Sequence, residues 1–250
     1  WAALPLSERI ARVRAGIAAL NAMKDEVVQE LAGQMGRPTR YGGEFGGVNE
    51  RTAYMSDIAA EALAPMVAED SDRFRREIRR EPVGVVFVIA PWNYPFLTAV
   101  NTIVPALIAG NAVVLKHASQ TLVAGERLAQ AMAQGGVPAD VFQNVVLDHQ
   151  TTEDLIAERS FGFVNFTGSV RGGQAIERAA AGTFTATGLE LGGKAPAIVC
   201  ADADMDLAVK AVTASRTVFS GQVCNCAERL YVHESVADAF AEKLAAAFEA

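Results

Sequence analysis

Cysteine is scarce in this sequence: there are three in 250 residues, and two of them stand only two positions apart. Three cysteines cannot build the disulfide framework of a small secreted domain, so we expect a reducing environment. No apolar stretch approaches the roughly 20 residues that a membrane-spanning helix needs, and the first residues show no signal peptide. The sequence therefore predicts a cytoplasmic protein with no membrane partner.

Positive charge and histidine are also sparse. Lysine and arginine number 22 against 29 acidic residues, a formal net charge of -7, which argues against a nucleic-acid partner. The densest basic run, residues 73–80, is broken by acid and predicts a solvated strand face or, alternatively, a subunit contact. The three histidines have no metal-ligand spacing, so we expect no metal site. Half of the chain is hydrophobic (51%), enough for the core of one large domain or two modest ones.

Apolar runs and helical patterns alternate along most of the chain. The first part predicts two amphipathic helices, over residues 6–33 and 50–68, with a glycine-rich loop between them. Continuous apolar runs, typical of strands buried on both faces, then alternate with helical segments. The runs cover residues 85–90, 111–115, 144–147, 163–166 and 196–199, and the helical segments cover 97–108, 122–134, 152–157 and 172–181. This alternation predicts βαβ units and an α/β fold with a mostly parallel sheet.

Two turns at predicted strand ends carry residues suited to a phosphate or a ribose. Gly168 and Ser169 follow a strand and open a helix, whose N-terminus offers backbone N–H groups and a positive dipole end. Lys116 ends another strand, at the edge where ligands bind in parallel sheets. Neither signal is specific, because such turns are common and the spacing from Gly168 to Gly173 is not the dinucleotide fingerprint. Lys116 could equally be a surface lysine at a strand end.

Three other segments carry candidate catalytic groups. In the Pro-Trp-Asn-Tyr-Pro segment at 91–95, the prolines and aromatics fix a bend, and Asn93 offers an amide donor to a developing oxyanion. A purely structural turn would explain the prolines but not the asparagine. Glu190 precedes two glycines and is a candidate base. Cys224 follows a Gly-Gln turn and is a candidate nucleophile.

The alternative for each cysteine is a small buried hydrophobic residue, which is what most free cysteines are. Cys200 lies in an apolar strand pattern, and we expect it to be buried. Cys224 has polar neighbours and does not fit that description. Cys226 is open to both interpretations.

In their order along the chain, these segments resemble the aldehyde dehydrogenase superfamily over nearly the whole sequence. The shared motifs are Pro-Trp-Asn at 91–93, Gly-Asn-Ala-Val-Val-Leu-Lys at 110–116, Phe-Thr-Gly-Ser at 166–169, Glu-Leu-Gly-Gly-Lys at 190–194 and Gly-Gln-Val-Cys at 221–224. The stretch 221–229 is most similar to succinate-semialdehyde dehydrogenases and related semialdehyde or hydroxyaldehyde dehydrogenases. The resemblance implies a Rossmann-like NAD(P)-binding domain over residues 1–191, with strands at 72–84 used for oligomerisation. Residues 192–250 would be the N-terminal part of an α/β catalytic domain.

The resemblance also implies a reaction: NAD- or NADP-dependent oxidation of an aldehyde to the acid through a cysteine thiohemiacetal and a thioester. The aldehyde would be succinate semialdehyde or another short polar one. Cys224 would be the nucleophile, Asn93 and the Cys224 backbone N–H would hold the oxyanion, and Glu190 would activate water. The implied cofactor-binding residues are Trp92, Asn93, Lys116, Ser119, Gly168, Ser169 and Leu191. The implied substrate-tunnel residues are Tyr94, Thr98 and Asn101.

Three positions depart from the family pattern. Many relatives read Pro-Ser-Glu after the strand-ending lysine, and the glutamate binds the ribose 2′-hydroxyl of NAD. This chain has Ser119 in place of that glutamate, so no carboxylate repels a 2′-phosphate, and we expect NADP to be accepted. Some succinate-semialdehyde enzymes place an arginine six residues before the nucleophile, whereas this chain has Val218 there and Arg216 two residues further back. Asp140 replaces a glycine that is usual near the adenine.

Other interpretations stay open. A coenzyme A-acylating aldehyde dehydrogenase would pass the thioester to coenzyme A, but Glu190 would then have no deacylation to catalyse. A non-catalytic truncated relative would keep the fold, although the intact Asn93, Glu190 and Cys224 argue against it. Cys226 could form a reversible disulfide with Cys224 under oxidation, or it could be a non-reactive neighbour.

The ends of the sequence predict a fragment, since it begins at Trp1 rather than methionine and residues 235–250 read as an unfinished amphipathic helix. The resemblance implies a longer protein that carries the rest of the catalytic domain. If these residues were the whole protein, we would expect poor solubility and little turnover. At full length, we expect a homodimer or a homotetramer.

Overall fold

The computed structural model describes residues 1–249, which form two compact units with their boundary between Glu190 and Leu191. In the first unit the elements are α1 (Leu6–Ala22), α2 (Lys24–Met35), α3 (Phe45–Ala62), β1 (Met66–Asp70), β2 (Arg75–Ile78), β3 (Val85–Ala90), α4 (Pro95–Ile108), β4 (Ala112–His117), α5 (Leu122–Gln134), β5 (Phe142–Val145), α6 (His149–Ala157), β6 (Phe163–Gly168), α7 (Val170–Ala180) and β7 (Ala186–Leu191), which ends at the boundary. In the second unit they are β8 (Ala195–Val199), α8 (Met205–Thr217), β9 (Ala227–Val232) and α9 (Ala237–Glu249). The predicted α/β class is confirmed.

Five strands of the first unit form one sheet in the order β5-β4-β3-β6-β7. β3 pairs in parallel with β4 and β6, and β4 pairs in parallel with β5. The chain proceeds from β3 outward to β5 and then returns to the other side of β3 as β6, so the strand order reverses beside β3. In open parallel sheets, ligands bind at the carboxyl ends of the strands next to such a reversal.

Helices cover both faces of this sheet, and alternate residues of β3 point to the two sides. Val86 and Val88 belong to a core shared with α1, α3, α4 and α5. Phe87 and Ile89 belong to a second core with residues of α6 and α7. Phe87 stacks on Phe161 with the ring centroids 4.3 Å apart. Because both faces of β3 are buried, all of its residues are apolar, which explains the continuous apolar run in the sequence.

Two of the predicted helices differ from the structure. The helix predicted over residues 6–33 is two helices, because the chain turns at Met23 (φ -89°, ψ 8°) between α1 and α2. The helix predicted over 50–68 begins earlier and ends ahead of Pro65, since the residue before a proline is disfavoured in a helix. The residues from Met66 onward form β1 instead, where pairing with β2 overrides the helical pattern.

The strands β1 and β2 form an antiparallel pair of their own, apart from the main sheet. Every residue of β2 is exposed. Met66, Val67 and Ile78 also present apolar side chains to solvent. The exposed basic residues and their ion pairs with acidic neighbours, such as Arg75 with Asp70 at 3.3 Å, fit the predicted solvated strand face.

The second unit packs α8 and α9 on a parallel pair of strands, β8 and β9. Its core consists of Val199, Val209, Val212, Phe240 and Leu244. Cys200 was predicted to be buried in an apolar strand, and that prediction is wrong: β8 ends at Val199, as its apolar run predicted, and the thiol lies exposed where the following turn begins. Residues of β8 alternate between exposed and enclosed, with Ile198 75% exposed and Val199 buried, so the apolar context did not imply burial. Among residues 1–249, no helix combines the length and the apolar character that crossing a bilayer requires.

Candidate active site

The predicted cofactor residues of the first unit gather at one edge of the sheet. Lys116, Ile89 and Phe166 are aligned in register on the neighbouring strands β4, β3 and β6. Trp92, Ser119 and Ser169 each lie three positions beyond a member of that row. They therefore lie at the carboxyl edge of the sheet, around the strand-order reversal beside β3, where the sheet topology favours ligand binding.

The turn after β6 is built by a serine cap and two glycines. Ser169 is the N-cap residue of α7, and its hydroxyl oxygen accepts the backbone N–H of Gly172 at 3.1 Å. A Cβ atom at Gly168 would lie 2.6 Å from the ring of Phe166, and one at Gly172 would lie 2.5 Å from the same ring. Both glycines are therefore needed for the ring to pack beneath the turn. The exposed helix N-terminus keeps the dipole and N–H donors that a phosphate requires.

Lys116 is almost fully enclosed, with 7% of its surface exposed, whereas Ser119 is exposed. Burial lowers the pKa of Lys116, and the carboxylate of Asp148 acts in the opposite direction. The alternative of a surface lysine at a strand end does not fit this burial. An ammonium group buried at a ligand-binding edge is suited to an anionic or hydroxyl-rich ligand.

Asn93 lies in the bend between β3 and α4, and its position is fixed from two sides. Its side-chain oxygen accepts the backbone N–H of Tyr94 at 3.0 Å, which directs the NH₂ group away from that backbone. Its carbonyl oxygen accepts a hydrogen bond from Arg37 at 2.7 Å. Arg37 in turn pairs with Glu44 at 2.9 Å, and both side chains are buried.

The sequence analysis missed Arg37 and Glu44. The glycine-rich segment between α2 and α3 contains one acidic residue, Glu44, and two arginines, Arg37 and Arg40, so a charge pair could have been suspected there, although the sequence does not show which arginine takes part. Burial raises the pKa of Glu44, while the charge of Arg37 and two backbone N–H donors oppose that rise.

The predicted substrate residues share one side of α4. Tyr94, Thr98 and Asn101 are spaced by four and then three residues, which places them on one stripe of a helix. They are half-buried or exposed, whereas the opposite side of α4 is in the core. Thr98 donates its hydroxyl hydrogen to the Tyr94 carbonyl at 2.6 Å. The stripe offers amide and hydroxyl groups to any molecule beside it.

In the second unit, Cys224 follows a tightly turned segment. Phe219, Ser220 and Gly221 have φ angles of 45°, 60° and 74°, all in the left-handed region. Two of these three residues are not glycine, and left-handed conformations at such residues are found preferentially at functional sites. Cys224 is exposed just after this segment.

Cys226 has the opposite environment. Only 2% of its surface is exposed, and its sulfur lies 4.0 Å from the carbonyl oxygen of Val218. The backbone N–H of Ala227 is bonded to the hydroxyl of Ser215, which anchors the start of β9. The burial favours a packing role for Cys226 over a redox role.

A charged cluster surrounds Glu228 in the same unit. Glu228 pairs with Lys194 and, at 3.3 Å, with Arg216, and the hydrogen bond from Lys194 is the main cause that lowers the pKa of Glu228. Arg216 is thus engaged by a carboxylate of its own chain. Gly221 has a φ of 74°, which L residues rarely adopt, and a Cβ atom there would lie 3.0 Å from the Arg216 carbonyl oxygen, so glycine is favoured at this position.

The predicted catalytic residues are distributed over the two units. Asn93 and Glu190 belong to the first unit, and Glu190 is exposed at its last position. Leu191 and Cys224 belong to the second unit. Their joint catalytic role stays a prediction. Within the described part of the chain, no group of three or more His, Cys, Asp or Glu side chains could hold a metal ion.

Comparisons with known proteins place this arrangement in context. The profile of the aldehyde dehydrogenase family matches residues 1–250. Lactaldehyde dehydrogenase of Escherichia coli K12 is 35% identical over 255 residues, covering 100% of this chain and 53% of that protein. Succinate semialdehyde dehydrogenase (NAD(P)+) of the same organism is 32% identical over 250 residues, covering 99% of this chain and 54% of that protein.

Solved structures of dehydrogenases also match this chain over nearly all of its length and over about half of their own. A crystal structure of an NADP-dependent enzyme of E. coli superposes with a TM-score of 0.94 at 32% identity, covering 100% of this chain and 52% of that one. A 3,6-anhydro-L-galactose dehydrogenase in complex with NADP superposes with a TM-score of 0.92 at 34% identity, covering 100% and 53%. The chain thus spans about half the length of the curated relatives that it matches.

Proposed function

Because the chain belongs to the aldehyde dehydrogenase family, as its motifs predicted, we propose that it takes part in NAD(P)-dependent oxidation of an aldehyde to a carboxylic acid. The observation that carries the proposal is the exposure of Cys224. It follows three residues in left-handed conformations, while Cys226, two positions on, is buried. A thiol placed in this way can reach a substrate, whereas a packing thiol cannot.

Each residue has a defined task in the proposed reaction. The Cys224 thiolate attacks the aldehyde carbon, and the carbonyl oxygen becomes an oxyanion held by the Asn93 NH₂ group and the Cys224 backbone N–H. Collapse of this adduct expels the hydride and leaves a thioester on Cys224. Glu190 takes a proton from water, and the resulting hydroxide displaces the Cys224 thiolate and frees the acid. A nicotinamide cofactor, when bound, supplies the acceptor for the hydride.

The edge of the sheet in the first unit has the donors that such a cofactor needs. The N-terminus of α7 at Ser169 suits a pyrophosphate, and Lys116 suits a ribose or a phosphate. Ser119 adds a hydroxyl and no negative charge, so a 2′-phosphate meets no repulsion there. We propose that the chain uses NADP and also accepts NAD. Trp92, which is 37% exposed, lies beside this edge, and Leu191 would approach the nicotinamide.

For the substrate, we propose a short polar aldehyde such as succinate semialdehyde or lactaldehyde. Support comes from the amide and hydroxyl groups of Thr98 and Asn101 beside Tyr94, and from the relatives that act on these two aldehydes by name. Arg216, the arginine nearest to the carboxylate-binding position of some semialdehyde enzymes, is already paired with Glu228 at 3.3 Å, which makes it a weaker partner for a substrate carboxylate. A hydroxyaldehyde therefore fits the described residues at least as well as a semialdehyde.

The test is a kinetic assay on the whole gene product that carries these residues. A panel of lactaldehyde, succinate semialdehyde, phenylacetaldehyde and hexanal, with NAD and with NADP, is followed by the absorbance of the reduced cofactor. We expect turnover with the polar aldehydes and loss of nearly all turnover in Cys224→Ala. Turnover that survives Cys224→Ala would contradict the proposal.

The fate of the thioester separates this proposal from coenzyme A acylation. In Glu190→Gln we expect the first hydride transfer to persist as a burst while steady turnover falls, since only deacylation needs the base. Stimulation of the wild-type enzyme by coenzyme A, with formation of acyl-coenzyme A, would favour the acylating alternative.

Two further expectations concern the setting of the protein. We propose that the β1–β2 pair, with its exposed Met66, Val67 and Ile78, contributes to a homodimer or a homotetramer. Light scattering after size-exclusion chromatography tests this proposal, and Val67→Lys should lower the measured mass. We also propose a cytoplasmic location, which fits three free cysteines, and cell fractionation tests it.

A further inference from the structure

We propose that Glu44, held in place by Arg37, is a positioning residue for the bend that carries Asn93. The inference rests on the proposed function, because it assigns a reason for holding Asn93 still. It arises from one enclosed set of contacts in the first unit, which joins the glycine-rich segment after α2 to the start of α4.

The side chains of Arg37 and Glu44 form hydrogen bonds to the backbone of the bend on both sides of Pro95. One carboxylate oxygen of Glu44 accepts from Arg37 at 2.9 Å. The other accepts from the backbone N–H groups of Phe96, at 3.0 Å, and Leu97, at 2.6 Å. Arg37 uses its second terminal nitrogen to donate to the Asn93 carbonyl at 2.7 Å. One ion pair therefore restrains residues before and after the proline.

The start of α4 needs this carboxylate. Its N-cap residue is Tyr94, whose side chain makes no capping hydrogen bond, and its first residue is Pro95, which has no N–H. The next two N–H groups, of Phe96 and Leu97, are the ones that an N-cap serine or aspartate ordinarily satisfies. Glu44 supplies the acceptor from a segment 52 residues earlier in the chain, and its negative charge also suits the positive end of the helix.

Arg37 completes the arrangement. It neutralises a carboxylate that is shielded from water, and its guanidinium lies 5.2 Å from the centre of the Tyr94 ring. Arg37 thus contacts the backbone of Asn93 and the ring of the next residue. A shift of the pair would move the Asn93 amide relative to the oxyanion it is proposed to bind, and oxyanion donors act only at hydrogen-bonding distance.

A purely structural ion pair makes a different prediction from a positioning pair. If Glu44 only stabilised the fold, its loss would lower the melting temperature and leave the kcat of the folded fraction unchanged. If Glu44 positions Asn93, its loss lowers kcat with little change in the KM of the aldehyde or of the cofactor. The reason is that the oxyanion forms only after the thiolate has attacked, so its loss of stabilisation does not affect substrate binding.

The first measurement is amide hydrogen exchange over residues 93–98, which does not depend on turnover. Glu44→Gln keeps the size of the side chain but replaces one of the two accepting oxygens with an NH₂ group. That group would face either Arg37 or the backbone N–H groups of Phe96 and Leu97, all of which are donors, so the hydrogen bonds on that side are lost. We expect the Phe96 and Leu97 amides to exchange at least about ten-fold faster in Glu44→Gln. Exchange equal to that of the wild type would overturn the proposal.

The second measurement is a double-mutant cycle in the aldehyde assay. Glu44→Gln should lower kcat by about ten-fold or more, and it should have no further effect in an Asn93→Ala background. If the two substitutions instead multiply in their effects on kcat, Glu44 does not act through Asn93, and the proposal fails. Glu30→Gln, which removes a carboxylate from the ion pair between α2 and Arg127, is the matched control and should leave kcat unchanged.

Arg37→Lys keeps the test decisive if Glu44→Gln does not fold. Lysine retains the charge but has one nitrogen, which cannot serve Glu44 and the Asn93 carbonyl in the two directions that Arg37 uses. We expect a folded protein with lowered kcat, and an unchanged kcat would count against the proposal. A wild-type protein that oxidises no aldehyde would refute the proposed function alone, because the exchange measurement still decides whether Glu44 fixes the bend.

Discussion

The imidazole of His117, at the end of β4, is hydrogen-bonded through Nε2 to the carbonyl oxygen of Pro95, at the start of α4, over 3.0 Å. A carbonyl oxygen only accepts, so Nε2 carries the hydrogen, and Nδ1 accepts from the hydroxyl of Thr121 at 3.1 Å. The neutral ring is satisfied on both sides. Burial lowers the pKa of His117 from 6.5 to about 4, and the neighbouring Lys116 adds to the lowering.

This pKa predicts a pH-dependent stability. Between pH 6.5 and pH 4 the unfolded chain binds a proton at His117 that the folded chain does not, so the free energy of unfolding falls as the pH is lowered. The fall should approach about 1.4 kcal/mol per pH unit within this window and amount to about 3 kcal/mol in total. Urea unfolding of the first unit at pH 7, 6 and 5 would measure it.

Two variants serve as comparisons for that measurement. His117→Gln removes the titrating ring. The pH dependence of the free energy of unfolding that this ring causes between pH 6.5 and pH 5 should therefore vanish. His149→Gln removes an exposed histidine at the start of α6 and should keep the wild-type slope. A slope that survives in His117→Gln would show that another group causes it.

Periodicity in the sequence predicted four of the five strands of the central sheet, but it missed β7, whose residues are mostly small or polar, and the bend between β3 and α4. The strand β3 was predicted with its observed bounds, because a strand buried on both faces must be apolar throughout. The contacts of His117 with Pro95, and of Glu44 with Phe96, join residues 22 and 52 positions apart. Such pairings depend on how the helices pack, and no local pattern encodes them.

The pattern also failed where tertiary pairing competes with it. Residues from Met66 onward have helical spacing but form β1 beside β2. Cys200 has an apolar sequence context, yet it lies one position past the end of its strand. In β8, Ile198 is exposed and Val199 is buried, and an apolar run does not by itself show which of its side chains face the core.

The residue at position 119 should set the preference between the two cofactors. Ser119→Glu places a carboxylate at the exposed turn after β4, where it would repel the 2′-phosphate of NADP and could accept the 2′-hydroxyl of NAD. We expect the Kd of NADP to rise by about ten-fold or more, a change of about 1.4 kcal/mol, with little change for NAD. Calorimetric titration of both cofactors would measure the ratio.

Gln120→Glu is the matched control for that change. It adds the same charge at the next position, which is also exposed, and we expect a much smaller effect on NADP than Ser119→Glu produces. Equal weakening by both variants would mean that only the general charge matters. No weakening by either would place the 2′-phosphate elsewhere.

The three thiols should differ in their reaction with iodoacetamide. Cys200 and Cys224 are exposed and Cys226 is buried, so the first two should be alkylated in the folded protein and Cys226 only in denaturant. Mass spectrometry of peptides from timed samples would give the order. Fast labelling of Cys226 in the native protein would contradict the structure.

The same burial bears on the redox hypothesis for Cys226. A disulfide with Cys224 would require the Cys226 sulfur to leave its position near Val218. We therefore expect peroxide to inactivate Cys226→Ala at the wild-type rate, with the same recovery after thiol treatment. Recovery that is lost in Cys226→Ala would instead support a protective disulfide.

The crossing of α1 and α5 should tolerate no side chain at Gly135. A Cβ atom there would lie 2.5 Å from the Cα of Gly16 and 2.7 Å from the carbonyl oxygen of Arg12. Both neighbours are backbone atoms, so the helices themselves would have to separate, and we expect Gly135→Ala to lower the free energy of unfolding by about 1–3 kcal/mol. Gly33→Ala, within α2, meets no atom within 4 Å and should raise it by about 0.5–1 kcal/mol, because alanine favours the helix. Urea denaturation of the two variants would show opposite shifts of the midpoint, and a stabilising Gly135→Ala would mean that the two helices are not packed this closely.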